Sequence, residues 1–429
     1  MIQIYESEHI RLSDILDRER EQNENAAEAV EKILCTVREK GDQALFEYEK
    51  QFDGVELKEL EVCQQEIQAA LQRIPPKFRA ALEQAAENIK TFHQHQVRSG
   101  FIINEKDGIV MGQKITPIEK AGIYVPGGTA SYPSSVLMNA IPAKLAGVKE
   151  IIMTTPPDKN GNIADSILAA AALAGVTRIF KVGGAQAIGA LAYGTKSMPK
   201  VDKIVGPGNV FVATAKSKVY GLVDIDMIAG PSEILVIADE GCNPAFVAAD
   251  LLSQAEHDAL ASAVLVTDSR VLAEAVQKEI EKQLELLPRK TIAEKSILQR
   301  GKIILTANIE SAVEIANEIA PEHLEVCVED AFALLPKIKN AGSIFLGKYA
   351  PEALGDYFGG PNHILPTSGT ARFSSPLSVD DFIKKSSFIY YTKEALCEAK
   401  DQIAYFAEQE GLVAHAKSVT IRFEEEAIQ

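Results

Sequence analysis

The spacing of apolar positions along this chain changes near residue 150, and the change divides it into two kinds of structure. Before that point Val30, Ile33, Leu34 and Val37 stand at i, i+3, i+4 and i+7, which lines one helix face with apolar side chains. Pro75-Pro76 interrupts the pattern, and a second helix is predicted from Lys77 onward. The first hundred residues therefore read as helices. Beyond residue 150, short β-branched runs alternate with Ala-rich stretches. Strands are predicted at 151–153, 178–182, 203–205, 234–238, 263–267, 302–305 and 343–346, with helices such as 165–174 and 246–259 between them. Apolar runs separated by helices indicate βαβ units and a mostly parallel sheet. The last fifty residues read as helical and finish in Arg422-Phe423-Glu424-Glu425-Glu426, expected on a solvated surface or at a contact between subunits.

At 429 residues the chain exceeds the size at which single cores stop growing, so two or more domains are expected. A formal charge of −16 argues against nucleic acid and against an anionic membrane surface, both of which select clustered Lys and Arg. It mildly favours a cationic substrate or a divalent metal. No apolar run approaches the length of a bilayer span, and the first eight residues lack the basic and apolar regions of a signal peptide. Cys35, Cys63, Cys242, Cys327 and Cys397 are scattered, with no C-x-x-C, so neither a disulfide framework nor a thiolate metal site is expected. A reducing cytoplasm is the expected location.

Glycine clusters adjoin several predicted strands: Gly183-Gly184 after Val182, Gly206-Pro207-Gly208 after Val205, and Gly230-Pro231 ahead of Ile234. Ligands in open α/β sheets bind beyond the carboxyl ends of strands, where glycine lets backbone amides approach a phosphate. No G-x-G-x-x-G occurs, however, so these clusters fit either an unorthodox nucleotide site or plain tight turns.

Only seven histidines are present, and the four beyond residue 250 all have oxygen-bearing neighbours. Gln254 and His257 stand three apart on a predicted helix, so both emerge from one face, either as ligands to one ion or as a hydrogen-bonded pair. Glu322-His323 follows Pro321 at a loop-to-strand junction, where a carboxylate and an imidazole can line one pocket as an acid-base pair. Asp356 and His363 lie in a stretch rich in glycine, proline and asparagine that predicts a long irregular loop, running on through Phe373. Glu410 and His415 add another acid and imidazole near the C-terminus; alone they would read as a helix-capping glycine segment with an exposed histidine. Four such pairs point to a metal-assisted active site built mainly from the second half.

These segments together closely resemble histidinol dehydrogenase. The matching stretches are 123–128 running to 134–138, Gly183-Gly184-Ala185-Gln186-Ala187-Ile188, Gly206-Pro207-Gly208-Asn209 and Ala229-Gly230-Pro231-Ser232-Glu233. Gln254-Ala255-Glu256-His257, Pro321-Glu322-His323-Leu324, the Asp356 loop through Pro376, and Glu410 to His415 complete them. The resemblance implies an NAD+-dependent, zinc-requiring oxidation of L-histidinol through L-histidinal to L-histidine. By residue, it implies metal ligands Gln254, His257, Asp356 and His415, with substrate contacts from these and from Ser232, His323, His363 and Glu410. The nicotinamide nucleotide is expected near Tyr124, Gln186 and Asn209. His323 is expected to take the carbinol proton, and Glu322 to deprotonate the water that attacks the aldehyde. The implied fold is α/β, with two incomplete Rossmann-like lobes of mostly parallel sheet and helical terminal segments. Its expected divisions are a helical segment over 1–20, one lobe from 21–123 with 237–376, a second over 124–236, and a dimerisation segment over 377–429. A homodimer is implied, in which the C-terminal segment completes the partner's site. The alternatives are a paralogue oxidising another small polar alcohol, a zinc hydrolase using Glu322 to activate water, and a non-catalytic binding protein.

Overall fold

The β-branched runs do become parallel strands, and the register shows how they are shared between two sheets. A computed structural model describes residues 1–10, 24–127 and 131–424. Strands are numbered here in chain order. In the first sheet β4 (Lys120–Tyr124), β5 (Glu150–Thr155), β6 (Arg178–Lys181), β7 (Lys203–Val205) and β8 (Asp224–Ile225) lie in the order β6-β5-β4-β7-β8, all parallel. Alternate residues of a strand face opposite sides, so Ile151 and Met153 enter one core while Ile152 enters the other.

The helices of the first hundred residues cover both faces of this sheet. Val30, Ile33, Leu34 and Val37, on the Glu24–Lys40 helix, pack against Ala187, Ile188 and Leu191 of the Gly184–Tyr193 helix. A Cβ added at Gly189 would lie 3.1 Å from Leu34, which shows how closely the stripe approaches. Gln64–Arg73 and Pro76–His93 pack on the opposite face with Pro133–Ala146 and Asp165–Ala174. Residues 24–93 thus join the sheet that holds β4 to β8. The expected division grouped 21–123 with 237–376; here the apolar stripes of 24–93 find their complement in the Ala-rich helices.

A second parallel sheet has the order β1-β11-β10-β9-β12-β13. It contains β1 (Gln3–Glu6), β9 (Glu233–Ala238), β10 (Ser262–Thr267), β11 (Lys302–Leu305), β12 (His323–Cys327) and β13 (Ser343–Leu346). Residues 3–6 were expected to be helical and are strand instead. The free edge of β11 supplies them with backbone partners that a short helical turn would lack, and Ile2 is buried beside it. The rest of that expected segment, from residue 11, lies outside the described residues.

The remaining residues, 98–117 and 383–429, form a separate unit. Here β14 (Ile383–Tyr391), β3 (Ile109–Pro117) and β2 (Phe101–Lys106) make an antiparallel sheet, followed by helices Lys393–Gln409 and Val413–Thr420. Its strands went unread: β14 lies in a stretch expected to be helical, and β2 and β3 fall just beyond the first hundred residues, where no element was predicted. The Asp107-Gly108 pair between β2 and β3, with Gly108 at φ 73°, is a hairpin signal that could have revealed them.

Both parallel sheets reverse direction beside their first central strand, β4 in one and β9 in the other. At the β4–β7 switch the chain turns through Gly206, at φ 111°, where an added Cβ would meet the Tyr124 carbonyl oxygen. A buried ion pair holds this turn. Asp226 accepts the Gly206 N–H at 2.8 Å, and the Lys216 ammonium donates to the Gly206 carbonyl at 2.9 Å and pairs with Asp226. Breaking a buried pair strands its other charge, at about 3 to 5 kcal/mol. Asp226→Asn is therefore expected to lower the free energy of unfolding by that order, read from the denaturant midpoint, whereas exposed Glu87→Gln leaves the midpoint unchanged.

Candidate active site

Four of the residues singled out in the sequence meet at the amino ends of β9 and β12. Ser232 and Glu233 lead into β9, and Glu322 and His323 into β12, with His323 in register with Ile234. The chain reaches this point from the Ile309–Ile319 helix through Ala320, held at φ 51°. A non-glycine residue in that region stores strain that the surrounding packing must hold. Pro321 follows, and Glu322 and His323 are buried side by side with His323 Nδ1 3.6 Å from Glu322 Oε2.

His323 Nδ1 lies 2.9 Å from the Glu233 carbonyl oxygen. A carbonyl only accepts, so this contact places the proton on Nδ1 and leaves the lone pair on Nε2. Nε2 itself is buried without a hydrogen-bond partner, 3.8 Å from Glu352 Oε1. Burial holds the imidazole pKa down at about 4, so the ring is neutral at pH 7. An unpartnered lone pair on a neutral imidazole is a base awaiting a proton. Glu322 is locked by the Glu233 N–H, which donates to its Oε2 at 2.9 Å. Burial, reinforced by Glu233, Glu352 and Asp356, pushes this carboxyl well above the usual carboxylate range.

Gln254 occupies the last turn of the Pro244–Ala255 helix, with its side-chain amide 2.9 Å from the same His323 Nδ1; the Nδ1–H given to the Glu233 carbonyl leaves no lone pair there to accept an amide N–H. Its Oε1 is buried with no partner. His257 was expected on that helix face. It sits instead in the exposed turn after the helix end, where its N–H donates to the Gln254 carbonyl. Asp356, expected in an irregular loop, lies on the short helix Glu352–Tyr357; the loop proper starts at Phe358. The run Glu352-Ala353-Leu354 favours helix, and Pro351 ahead of it fixes the start.

This helix also brings in a residue missed in the sequence. Glu352, four residues ahead of Asp356, shares its face, and single ligand atoms of His257, Glu352 and Asp356 lie within 4.8 Å of one another. Burial, with Asp356 nearby, pushes Glu352 up to about 8, while Ser253 donates to it at 2.9 Å. The charged form of this group calls for a cation. An imidazole and two carboxylates this close are a donor set suited to a divalent ion such as zinc, and the unpartnered Gln254 oxygen, three residues ahead of His257, is a further donor, so the residues present fit one.

His363 packs behind the cluster: its Nδ1 donates to the Asp356 carbonyl at 3.0 Å, and Ser135 lies 3.4 Å from its Nε2. Asn362, next to it, donates to the Met138 carbonyl and so ties the loop down. Glu410 and His415 belong to the other unit, where both are exposed. Glu410 ends the Lys393–Gln409 helix ahead of Gly411, at φ 74°, and His415 lies on Val413–Thr420.

Of the residues expected near a nucleotide, Tyr124 ends β4 and its hydroxyl accepts the Gly184 N–H at 3.2 Å. Gln186 is buried on the first turn of Gly184–Tyr193, its amide nitrogen donating to Glu49 at 3.1 Å. Asn209 caps Val210–Val219, accepting from the amides of Phe211 and Val212, both at 3.1 Å. The glycine amides thought free for a phosphate are engaged within the protein: Gly183 by Glu49, Gly184 by Tyr124, Gly206 by Asp226 and Gly230 by Thr367.

Fold and site together define an α/β enzyme with a buried histidine base set among carboxyl groups. A sequence profile described as histidinol dehydrogenase matches residues 16–423. Histidinol dehydrogenase from Listeria monocytogenes is 63% identical over 397 residues, covering 92% of this chain and 93% of its own. That of Clostridium acetobutylicum is 59% identical over 408 residues, covering 95% of each. The crystal structure of histidinol dehydrogenase from Elizabethkingia anophelis superimposes with a TM-score of 0.92 at 41% identity, covering 99% of both chains. The chain belongs to the histidinol dehydrogenase family.

Glu325, on β12 beyond His323, accepts the Glu352 N–H at 2.7 Å and so holds the start of the Glu352–Tyr357 helix. Burial beside Asp250 pushes its carboxyl up to about 9. The folded protein therefore binds a proton that the unfolded chain releases above its ordinary pKa near 4.5. That contribution makes stability fall as pH rises from about 5 to 9, the window between these values. Glu325→Gln should flatten this decline in melting temperature across pH 5 to 9; an unchanged slope would assign the decline to other groups.

Proposed function

We propose that this protein oxidises L-histidinol to L-histidine by way of L-histidinal, with two molecules of NAD+ and one bound zinc ion. The observation that carries the reading is His323 Nε2: a buried, unpartnered base whose tautomer is set by the Glu233 carbonyl. Family membership supplies the substrate.

In the first oxidation His323 Nε2 takes the carbinol proton as hydride leaves for NAD+, giving aldehyde, NADH and a proton. In the second, water adds to the aldehyde, and the hydrate gives up hydride to a second NAD+. Glu322 lies 3.6 Å from His323 and is suited to draw the proton from that water in its ionised form. Because burial pushes the Glu322 carboxyl well above the usual carboxylate range, the second oxidation should gain more from alkaline pH than the first.

The metal would be held by Gln254 Oε1, His257 and Asp356, with Glu352 beside them, and would orient the substrate through its nitrogen atoms while polarising its oxygen. We keep His415 and Glu410 in the set on the resemblance alone, supplied across a homodimer. Ser232 and His363 stand at the substrate side of the same proposal. Tyr124 and Asn209 flank the β4–β7 switch, and Gln186 follows β6, which supports a nucleotide there. Five cysteines without disulfides support a cytoplasmic location, and no described helix is long and apolar enough to cross a membrane.

Absorbance at 340 nm with L-histidinol tests the reading. About two NADH should form per histidinol consumed, lost on chelation and restored by zinc. One NADH would remove the second oxidation, and none would leave a paralogue acting on another alcohol. His323→Asn should cut both oxidations by roughly a hundredfold or more, the scale of a general base. Glu322→Gln should spare alcohol oxidation more than aldehyde oxidation, and equal loss in both would undo the division of roles.

A further inference from the structure

Among the described residues, five buried side-chain atoms lack a hydrogen-bond partner. Two belong to the site above, and two more lie together elsewhere, Glu49 Oε2 and Gln186 Oε1. Unsatisfied buried polar atoms are rare enough to demand a reason. Glu49 opens the π-helical turn Glu49–Asp53, a local distortion of the kind often found at functional sites, and is fully buried. Its Oε1 accepts from the Gly183 N–H at 3.2 Å and from the Gln186 amide nitrogen at 3.1 Å. The Tyr124 hydroxyl takes the next amide, that of Gly184. Gln186 in turn folds back over the start of its own helix, and an added Cβ at Gly184 would stand 2.7 Å from its Oε1.

The amide of Gln186 is therefore not free to turn over. Its nitrogen is committed to an acceptor, which leaves its carbonyl oxygen as the group on offer. We propose that Glu49 is a positioning residue of the nucleotide site, holding the Gly183-Gly184 turn and fixing the Gln186 amide so that its oxygen meets a hydrogen-bond donor of the dinucleotide. The chemistry of that donor is an amide or amine N–H or a ribose hydroxyl. This inference rests on the NAD+ reading and adds a residue that no chemical motif in the sequence marks. Burial, with Asp53 alongside, pushes Glu49 up to about 8, so near neutrality the group is the neutral acid. Glutamine matches that neutral acid in shape and keeps an oxygen for Gly183 and Gln186. A residue that served only the core would affect folding without favouring one substrate over the other.

The test uses the full-length, zinc-loaded protein, with NADH binding followed by fluorescence and KM measured separately for NAD+ and L-histidinol. Glu49→Ala should raise KM for NAD+ and Kd for NADH about tenfold, the scale of one or two lost oriented hydrogen bonds, with KM for L-histidinol unchanged. Glu49→Gln should stay within about twofold of the parent, the scale of less than one such bond. Because Glu49 acts in part through Gln186, the Glu49→Ala, Gln186→Ala double variant should lose less NADH affinity than the two single losses added together. If Glu49→Ala fails to fold, Glu49→Asp, whose shorter carboxyl draws away from both donors, carries the same expectation. The proposal is overturned by parental NADH affinity in the folded Ala or Asp variant, by equal shifts in both KM values, or by additive losses in the double variant. Absence of NADH binding by the parent protein would instead overturn the NAD+ reading itself.

Discussion

Carboxyl groups buried without cations set the terms for the catalytic cluster. Glu233, Glu322, Glu325 and Glu352 are all buried around His323, and no lysine or arginine hydrogen-bonds any of the last three among the described residues. Removing a carboxylate from water is so costly that each group must either keep its proton or find a positive partner. Lys216 and Asp226 show the other solution, in which a buried carboxylate has its ammonium built in. The contrast has chemical meaning. Where the chain provides its own cation it builds a rigid turn; where it withholds one it leaves a place for a metal ion or a protonated amine. The overall charge of −16 is a weak hint of such a preference, and the local burial supplies its physical cause.

Topology places this cluster at an end of the sheet where α/β proteins seldom carry chemistry. The five-stranded sheet follows the usual rule, with Tyr124 and Gly206 at the carboxyl side of its switch point. In the six-stranded sheet the register puts Ser232, Glu233, Glu322 and His323 at the amino side of β9 and β12. Side chains there cannot rely on helix N-termini for polarity. Backbone groups of Glu233 do the orienting instead, its N–H fixing Glu322 and its carbonyl fixing His323.

Much of this was legible in the sequence where a single period or a short motif sufficed. The strands at 203–205, 302–305 and 343–346 match their observed bounds because each is a short, buried or half-buried run with an apolar centre. Glu322-His323 announced itself as a pair. Glu352 did not, since a lone glutamate on a short helix looks like a solvated one until burial is known. Glu49 was silent for the same reason, and its partners Gly183 and Gln186 lie more than a hundred positions away. Which sheet the early helices would cover was likewise beyond a period, because an apolar stripe specifies a face and not its partner. The β2–β3 hairpin was missed for a different reason: its turn residues were visible, but β2 is exposed throughout and β3 shows no alternation of buried and exposed positions to read.

The edge strand β1 has a consequence for how the molecule is made. Gln3–Glu6 leaves the ribosome roughly 300 residues ahead of its partner Lys302–Leu305. At about 5 to 20 residues per second, some 15 to 60 seconds pass before that pairing can form. Before that interval ends the five-stranded sheet, whose strands and covering helices all lie before residue 226, is complete in sequence. The order of synthesis therefore favours a nascent chain that folds its five-stranded sheet first and closes its six-stranded sheet last, with β1 as the final strand to pair.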